Sequence, residues 1–471
     1  MSTKLTPGMH IHIVGIGGTG MSAIARVLLG RGFQVSGSDR QSNEQTAALE
    51  AAGVTIYLGH AAGHINGADL VVVSSAVPPT NPERSAALAQ GLPVLKRADL
   101  LGELMAGSIG IAVAGSHGKT TTTGMIAHVM IEAGLDPTVI LGGTLPELSG
   151  NGRFGRGPHF VIEADEYDYM FLGLRPDLAV ITNVEHDHPD LFETATAYRD
   201  AFRRFVELLP ANGRLILCAD DPGAAELLDH IAAGGIAVTT YGLGEPATND
   251  RPDARALDIR PNQMGGSDFI VEIDGQTTGL ARIRVPGLHN VRNALAAIVA
   301  LLELGLDFGQ ICRALAGFGG VQRRFQIIGE AGGVTIIDDY AHHPTEIKAT
   351  LAAARQRYPG RRLWAVWQPH TFSRTRLLLK EFAGSFALAD RVIALDIYGS
   401  RETADPGITA ASVVDLMGHP NAIHIPERRA AADYLLERLF PDDVVLTLGA
   451  GDGDMVGRWV LEGLQQQGVK K

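Results

Sequence analysis

Cysteine is nearly absent from this chain, whose 471 residues include only Cys218 and Cys312. Two thiols are too few for a disulfide framework or for a metal site built from thiolates. Long apolar runs are missing as well, since no stretch approaches about 18 consecutive apolar residues. The opening MSTKLTPGMHIHIVG also lacks the apolar core of a signal peptide. These absences predict a soluble, cytoplasmic protein without membrane insertion.

Runs of basic residues are the third absence. The net charge is −12, from 40 Lys and Arg against 52 Asp and Glu, and the basic residues do not cluster in the sequence. Because duplex nucleic acid attracts proteins through clustered positive charge, we expect no nucleic-acid partner. Hydrophobic residues nevertheless make up 45% of the chain, which is enough for sizeable cores.

The length predicts about three domains, and apolar strands alternate with helical patterns in three blocks. Residues 1–106 contain the strands IHIVGIG, FQVSGSD and LVVVSSA. Residues 107–320 contain SIGIAVAGS, HFVIEADE, LAVITNV and GRLILCAD, and residues 321–471 contain GVTIIDD, RLWAVWQ, DRVIALD and DVVLTLG. This alternation predicts an α/β protein of three domains with largely parallel sheets.

The end of the second block has a different pattern. DFIVEIDGQTTGLARIRVPG alternates around a central Asp-Gly and predicts an antiparallel hairpin, and LHNVRNALAAIVALLELG predicts a long helix. The glycine-rich LSGNGRFGRGPH predicts an exposed loop.

The stretch AGSHGKTTTTG, residues 114–124, ends like a phosphate-binding loop although it is two residues short of the usual spacing. It follows a predicted strand and precedes a predicted helix, so backbone N–H groups and the positive end of the helix dipole converge there. Lys119 can then reach the terminal phosphates of a nucleotide, and the Thr120 hydroxyl can bind Mg²⁺. The alternative is a tight strand-to-helix turn without a ligand.

Two polar clusters follow later strands of the same block. IEADEYD supplies acidic residues that suit Mg²⁺, although a solvated turn would look similar. NVEHDHPD carries His186 and His188, which would suit zinc only if a third ligand lay nearby. The acidic candidates are Glu163, Asp165, Glu166 and Asp168.

The first block carries G-x-G-x-x-G at Gly15, Gly17 and Gly20, with Asp39 about 20 residues on. This fingerprint recognises a pyrophosphate and a ribose, which a nicotinamide cofactor and a UDP-sugar both contain. Its presence beside an ATP-type loop favours an enzyme with two substrates. A nicotinamide-linked enzyme or a nucleotide-sensing protein is the alternative.

The third block carries three polar motifs, RRFQ at residues 323–326, DDYAHHPTE at 338–346 and QPHTFSRTR at 368–376. Each follows a predicted strand or a domain junction, where open α/β sheets bind their ligands. Any one of them could be a salt-bridged surface turn.

Taken together, these motifs resemble the Mur ligases of bacterial cell-wall synthesis along nearly the whole chain. The matching segments are GIGGTGMS, VVSSAV with NPE, GSHGKTTTT, EADEYD, TNVEHDHPD, GLHNVRNALAA, RRFQ, DDYAHHPTE and QPHTFSRT. The resemblance implies a Rossmann-like N-terminal domain, a central domain like the P-loop ATPases and a Rossmann-like C-terminal domain. The shortened G-x-x-G-K-T loop is typical of this family.

The resemblance is strongest to the family branch that joins L-alanine to UDP-N-acetylmuramate for peptidoglycan. It implies that ATP, with Mg²⁺, phosphorylates the lactyl carboxylate and that the amine attacks this acyl phosphate, releasing ADP and phosphate. The alternative substrate is the recycled tripeptide L-alanyl-γ-D-glutamyl-diaminopimelate. Tyr167 favours the tripeptide, and residues 371–373 also depart from the commoner QPHRYTRT. We expect a monomer or a weak homodimer.

The resemblance also assigns roles by motif. The expected catalytic residues are Lys119, Glu163, His188, Arg324 and His342. The expected Mg²⁺ ligands are Thr120, Glu163 and His188. ATP would be bound by Gly115, Ser116, His117, Gly118, Lys119, Thr120, Thr121, His289, Asn290, Asn293, Arg323 and Arg324.

The two remaining ligands are assigned in the same way. The UDP-sugar would lie against Gly15, Gly17, Gly18, Gly20, Met21, Ser22, Asp39, Ser74, Ser75 and Ala76. The amino acid would lie against Tyr340, His342, His370 and Arg374. We expect Arg374 to bind its carboxylate, since a guanidinium can do so through two parallel hydrogen bonds. Lys119 is expected to be close to exposed without ligand, so that its removal would cost activity and little stability.

Overall fold

The structure is a computed structural model that describes residues 5–148, 150–231, 235–244, 251–405 and 407–469. Three sheets, one in each predicted block, organise the described chain. Within these ranges no helix is long and apolar enough to cross a membrane.

The N-terminal sheet is parallel, with strand order β3-β2-β1-β4-β5. The predicted strands IHIVGIG, FQVSGSD and LVVVSSA form its β1, β2 and β4, and the predicted first helix is α1. Its elements are β1 His10–Val14, α1 Thr19–Gly30, β2 Gln34–Asp39, α2 Glu44–Ala51, β3 Thr55–Leu58, a 3₁₀ turn Ala62–Ile65, β4 Leu70–Val73, α3 Pro82–Ala89, β5 Val94–Lys96 and α4 Arg97–Met105.

The central sheet is mixed, in the order β15-β14-β13-β12-β11-β10-β6-β9-β7-β8. Its strands are β6 Ile109–Ala114, β7 Thr138–Leu145, β8 Gly150–Arg153, β9 His159–Glu163, β10 Leu178–Ile181, β11 Arg214–Cys218, β12 Ala237–Gly242, β13 Ala254–Pro261, β14 Ser267–Ile273 and β15 Gln276–Ile283. Its helices are α5 Lys119–Glu132, α6 Ala195–Val206, α7 Pro222–Ala225, α8 Leu227–Ile231, α9 Leu288–Glu303 and α10 Phe308–Leu315, with 3₁₀ turns at Pro146–Leu148 and Tyr167–Gly173.

The C-terminal sheet runs β16-β17-β21-β18-β19-β20 and is parallel apart from the antiparallel β16. All four strands predicted in this block are present. Its elements are β16 Gln326–Ala331, β17 Val334–Asp339, α11 Pro344–Arg357, β18 Arg362–Trp367, α12 Phe372–Leu377, α13 Leu379–Ala383, β19 Arg391–Ala394, α14 Ala410–Met417, β20 Ala422–His424, α15 Arg428–Leu436, β21 Asp443–Leu448 and α16 Asp454–Val469.

The predicted hairpin and long helix of the central block are confirmed. Strands β14 and β15 pair antiparallel around Asp274 and Gly275, whose positive φ values suit a tight turn. Helix α9 is buried along most of its length against the central sheet, as its apolar run predicts. The predicted domain boundaries at residues 106 and 320 stay predictions.

The prediction of an exposed loop at LSGNGRFGRGPH is wrong for residues 150–153, whereas residues 154–158 do form a loop with Arg156 and Pro158 exposed; Ser149 lies outside the described residues. Residues 150–153 form β8, which pairs with β7, and Asn151 is fully buried. The Asn151 side chain donates to the carbonyl of Thr19 (2.6 Å) and to the hydroxyl of Ser22 (2.9 Å). The glycines permit close packing here, because a Cβ on Gly152 would overlap the backbone of Ala23. This strand therefore fastens helix α1 to the central domain.

The N-terminal and central domains share one apolar core. Buried residues of α1, such as Ile24 and Leu28, belong to the same cluster as Phe160 and Ile162 of the central strand β9. Burial of apolar area is the main favourable term in association. The first domain is thus held firmly against the second, and a fragment ending at residue 106 would expose part of this core.

Candidate active site

The glycine turn at residues 115–118 joins the carboxyl end of β6 to the N-terminus of α5. Gly118 caps the helix with φ +80°, and Gly115 has φ +134°, both conformations that L side chains rarely adopt. A Cβ on Gly115 would overlap the Thr182 hydroxyl, which donates to the carbonyl of His117 (2.6 Å). Asn183 accepts from the backbone N–H of His117 (2.8 Å). The two residues that follow strand β10 therefore stabilise the shape of the turn through hydrogen bonds.

Lys119 is not close to exposed, which corrects the expectation from sequence. Its side chain is 12% exposed, and its ammonium lies 2.9 Å from Oε2 of the fully buried Glu166. It also donates to the carbonyls of Gly115 and Ser116. Burial opposes the charged ammonium, but the carboxylates of Glu166, Asp165 and Glu163 outweigh burial and raise the Lys119 pKa. Lys119 thus neutralises a buried carboxylate.

Glu166 belongs to a buried network that sequence reasoning did not predict. Its Oε1 accepts from the hydroxyl of Tyr198 (3.0 Å), a fully buried residue of helix α6. The Tyr198 hydroxyl lies 2.9 Å from Oγ of Ser116, which donates to the carbonyl of Glu185 (2.6 Å). The Ser116 side chain therefore holds the glycine turn in place. The EADE motif contained the signal for Glu166, but no local pattern pointed to Tyr198.

Glu163, at the end of β9, faces the first turn of α5. Its Oε1 accepts from the Thr120 hydroxyl (2.9 Å) and its Oε2 from the N–H of Gly142 (2.7 Å). A Cβ on Gly142 would lie 2.6 Å from Oε2, so only glycine leaves room for the carboxylate. Desolvation raises the Glu163 pKa despite the nearby charges of Lys119 and Arg324. A partly buried carboxylate beside a hydroxyl is an oxygen donor pair that suits Mg²⁺.

The two histidines of NVEHDHPD contact different residues. Nε2 of His186 is bonded to the carbonyl of Phe192 (2.8 Å). His188, whose φ is +55°, has its Nε2 3.6 Å from Oε1 of Glu166 and 3.8 Å from Oδ2 of Asp187. The ring of His188 packs edge-on against Tyr167. His188 therefore lies beside the carboxylates of Glu166 and Asp187, and its role as a metal ligand stays a prediction.

A cavity of about 320 Å³ opens beside the glycine turn. His289, Asn290 and Asn293 line it from the first turns of α9, and Thr121 lines it from α5. Burial lowers the His289 pKa to about 4, so this imidazole is neutral at pH 7. Sequence reasoning missed further residues of this cavity, which lie after β11, in β12 and in α9; they are Asp220, Tyr241 and Arg292.

The two arginines of RRFQ point in different directions. The Nη2 of Arg324 lies 3.5 Å from the Thr120 hydroxyl, at the phosphate loop. Arg323 turns into the C-terminal domain, where it donates to Asp338 (2.9 Å) and to the carbonyls of Gly449 and Gly451. Both arginines were expected to bind ATP, and this geometry favours Arg324 over Arg323 for an ATP phosphate.

The residues expected at the amino-acid end do lie together. The rings of Tyr340 and His342 are 5.4 Å apart, and those of His342 and His370 are 6.0 Å apart. Burial lowers the pKa of His342 to about 3 and that of His370 to about 4. Nδ1 of His342 is 3.0 Å from the Tyr340 carbonyl, to which it can donate, leaving Nε2 as an acceptor.

The guanidinium of Arg374 is largely occupied by other residues of the protein. This corrects the expectation that it binds the substrate carboxylate through two parallel hydrogen bonds. The side chain is 4% exposed, and its Nε (2.8 Å) and Nη2 (2.7 Å) both meet Oδ1 of Asp187. Its Nη1 lies 3.2 Å from Nδ1 of His370. Asp187 comes from the central domain, so this buried ion pair also joins two domains. Sequence reasoning did not single out Asp187, although it lies in NVEHDHPD.

The first glycine fingerprint forms the predicted turn after β1. Asp39 accepts from the N–H of Gly17 (2.9 Å), and a Cβ on Gly15, where φ is +81°, would crowd the Ser74 hydroxyl. Arg97 lies against Gly20 and donates to Asp165 of the acidic motif (2.7 Å). This turn is therefore connected to the phosphate-loop cluster.

Two residues expected to contact the UDP-sugar face inward. Met21 is 2% exposed and Ser22 is fully buried, with its hydroxyl occupied by Thr19 and Asn151. Both lie on the side of α1 that packs in the shared core, so their side chains are not available to a ligand. The residues placed on the turn and the neighbouring strand end are Gly15, Gly17, Gly18, Asp39, Ser74, Ser75 and Ala76.

Three α/β domains with a phosphate loop at their junction define a nucleotide-binding protein of the ATP-dependent ligase type. Family models match each domain in turn: the Mur ligase family catalytic domain over residues 10–108, the Mur ligase middle domain over 113–301 and the Mur ligase glutamate ligase domain over 323–451. The chain belongs to the Mur ligase family.

Individual relatives are similar over nearly the full length. A UDP-N-acetylmuramate–L-alanine ligase of Salinibacter ruber is 46% identical over 447 residues, covering 94% of this chain and 92% of that protein. The crystal structure of a UDP-N-acetylmuramate–alanine ligase from Thermotoga maritima matches with a TM-score of 0.81 at 30% identity, covering 98% of this chain and 100% of that one. A murein peptide ligase of Psychrobacter arcticus matches with a TM-score of 0.73 at 29% identity, covering 97% and 99%.

Proposed function

We propose that this chain is an ATP-dependent ligase that joins L-alanine to the lactyl carboxylate of UDP-N-acetylmuramate in peptidoglycan synthesis. The observation that carries the proposal is the convergence of Glu163 and Arg324, from two domains, on the Thr120 hydroxyl, next to Lys119 of the glycine turn. Relatives that carry the L-alanine ligase name are 43–46% identical over nearly the whole chain. This support favours L-alanine over the recycled tripeptide and over a nicotinamide cofactor.

The nucleotide would bind with its phosphates on the glycine turn and its adenosine in the adjoining cavity. Backbone N–H groups at the start of α5 favour anions there. Lys119 would exchange part of its contact with Glu166 for a phosphate oxygen, and Arg324 would approach the phosphates from the C-terminal domain. Both cations offset charge that develops on the transferred phosphoryl group.

Magnesium fits the residues present, because the Thr120 hydroxyl and the Glu163 carboxylate form an oxygen donor pair beside the turn. We propose that Thr120 and Glu163 would hold one Mg²⁺ and that His188 would support a second. When bound, Mg²⁺ would neutralise phosphate charge. Gly142 leaves room for the Glu163 carboxylate and donates its N–H to it, which keeps the carboxylate beside Thr120.

The amino acid would lie between the central and C-terminal domains, near His342, His370 and Arg374. Nε2 of the neutral His342 is an acceptor that can hydrogen-bond the amino group of the amino acid and orient it, while its low pKa excludes it as the base that removes the proton. Nη1 of Arg374 directs one N–H to Nδ1 of His370 and would offer its second N–H to the substrate carboxylate, and Asp187 beside it suits the ammonium. The motif residues of this end are contributed by two domains, so domain closure would exclude water from the acyl phosphate.

The UDP-sugar would lie on the N-terminal glycine turn, with its pyrophosphate at the start of α1 and its ribose near Asp39. The contact between Arg97 and Asp165 places this turn next to the phosphate-loop cluster. Because ATP and UDP-sugars are intracellular compounds, we propose that the protein acts in the cytoplasm. We also propose that it is a monomer or a weak homodimer.

The amino-acid substrate is tested by competition. We expect ADP release with UDP-N-acetylmuramate to be fastest, as kcat/KM, with L-alanine, because the site is crowded by His342, His370 and Tyr398. Glycine differs by one methyl group and should be slower by roughly 10- to 200-fold, with some turnover of L-serine. A higher kcat/KM for L-alanyl-γ-D-glutamyl-diaminopimelate than for L-alanine would assign the chain to the recycling reaction.

The identity of the ligand at the N-terminal turn is tested by calorimetry on the full chain. The full chain is needed because this domain shares its core with the central one. We expect saturable binding of UDP-N-acetylmuramate and no saturable binding of NAD or NADP. Asp39→Ala should weaken UDP-N-acetylmuramate binding without changing ATP binding, since the Asp39 side chain accepts from Gly17 of the first glycine turn and from its neighbour Arg40. Tight nicotinamide binding would contradict the proposal.

A further inference from the structure

A group of metal-ligating type lies at the junction of the central and C-terminal domains, apart from the proposed magnesium residues. Among the residues that the structure describes, His117, Glu185 and His343 each offer one ligand atom, and these atoms lie within 4.8 Å of one another. His117 belongs to the glycine turn and Glu185 follows β10, whereas His343 precedes helix α11 of the C-terminal domain.

We propose that His117, Glu185 and His343 form a Zn²⁺ site that joins the C-terminal domain to the phosphate loop. Nε2 of His117 lies 3.0 Å from Oε2 of Glu185, and Nδ1 of His343 lies 3.9 Å from the same oxygen. Tetrahedral zinc with bonds near 2.0–2.1 Å holds its ligand atoms about 3.3 Å apart. The observed spacings lie on either side of that value, so small side-chain rotations would complete the site.

The residues around the group orient it in the way that zinc sites require. Nδ1 of His117 lies 3.2 Å from Oε1 of Glu346, to which it can donate. Because Glu185 and Glu346 raise the His117 pKa to about 10, the ion would bind Nε2 by displacing its proton to solvent. Carboxylates that hold the second nitrogen of a ligating histidine are typical of zinc sites. Thr345 donates to Oε1 of Glu185 (2.8 Å), which leaves Oε2 facing His117. Two carboxylates close to two imidazoles also attract a dication.

His343 has bonding capacity that the protein does not use. Its side chain is 2% exposed, its Nδ1 accepts one long bond from the N–H of Thr345 (3.3 Å), and its Nε2 has no hydrogen-bond partner in the described chain. Buried polar atoms almost always have a partner. An ion held with His117 and Glu185 would bind Nδ1, the nitrogen 3.9 Å from Glu185, in place of this long bond. Three protein ligands would leave a fourth position open for water or a phosphate oxygen.

The experiment titrates Co²⁺, a spectroscopic substitute for zinc, into the nucleotide-free full chain in Mg²⁺ buffer. We expect one equivalent to give the intense visible absorption of four-coordinate Co²⁺, and one equivalent of Zn²⁺ to abolish it. His343→Asn should lose this absorption, yet asparagine keeps an N-cap for α11. Glu185→Gln should lose it too, and Glu346→Gln should weaken binding by about 10- to 100-fold.

The control is His230→Asn, because His230 lies at the surface with Glu207. It should bind Co²⁺ like the unmodified chain. Zn²⁺ should also raise the melting temperature of the unmodified chain and of His230→Asn, but not that of His343→Asn. Absence of the four-coordinate spectrum, or its persistence in both His343→Asn and Glu185→Gln, would overturn the proposal and leave the group as an interdomain hydrogen-bond contact.

Discussion

Glu163→Gln is expected to lower kcat for ADP release by about 10³-fold, even at saturating Mg²⁺, without unfolding the protein. Glutamine has the same size but lacks the charge that a magnesium ligand needs. Its amide can keep the local geometry, since the oxygen can accept from Gly142 N–H while the nitrogen donates to the Thr120 hydroxyl. Desolvation already disfavours the charged form of Glu163. The free energy of unfolding should therefore be unchanged or higher.

A matched control comes from the same acidic motif. Asp168 is about one-third exposed, pairs with Lys96 at the surface and has a φ of +54°, which asparagine tolerates. Asp168→Asn should keep both ADP release and the melting temperature close to those of the unmodified chain. If Glu163→Gln retained most of its activity, or if Asp168→Asn lost as much, the assignment of Glu163 to magnesium would be wrong.

The fold was largely predictable because its strands are apolar runs of a typical length, each followed by a polar turn. GVTIIDD and DVVLTLG, for example, have no competing interpretation once helical patterns flank them. The error at LSGNGRFGRGPH arose because glycines that allow close packing look locally like glycines of a loop. Only the approach of helix α1 to Gly152 explains why they form a buried strand.

The candidate site was predictable where one motif contains the whole arrangement, as in the glycine turn before α5. Partners from distant segments were not. Tyr198 donates a hydrogen bond to Glu166, 32 residues away in the sequence, and Arg374 donates to Asp187, 187 residues away. Local sequence patterns do not encode such pairs, so an arginine that looked free for substrate is instead paired with a buried carboxylate.

Lys119→Ala is expected to abolish ATP turnover and, unlike an exposed lysine, to destabilise the protein. The substitution leaves Glu166, which is fully buried, without its cation. Removing one partner of a buried ion pair costs about 3–5 kcal/mol, because the remaining charge is uncompensated. Urea denaturation measures this loss, and ADP release measures the effect on turnover.

Lys119→Ala combined with Glu166→Gln separates the two effects. Removing the Glu166 charge should restore much of the lost free energy of unfolding, since a neutral amide can still accept from the Tyr198 hydroxyl. Activity should remain absent, because the lysine that reaches the phosphates is still missing. If the single variant unfolded like the unmodified chain, Lys119 would not be the cation that stabilises Glu166. If the stable double variant released ADP at the original rate, the glycine turn would not be the ATP site.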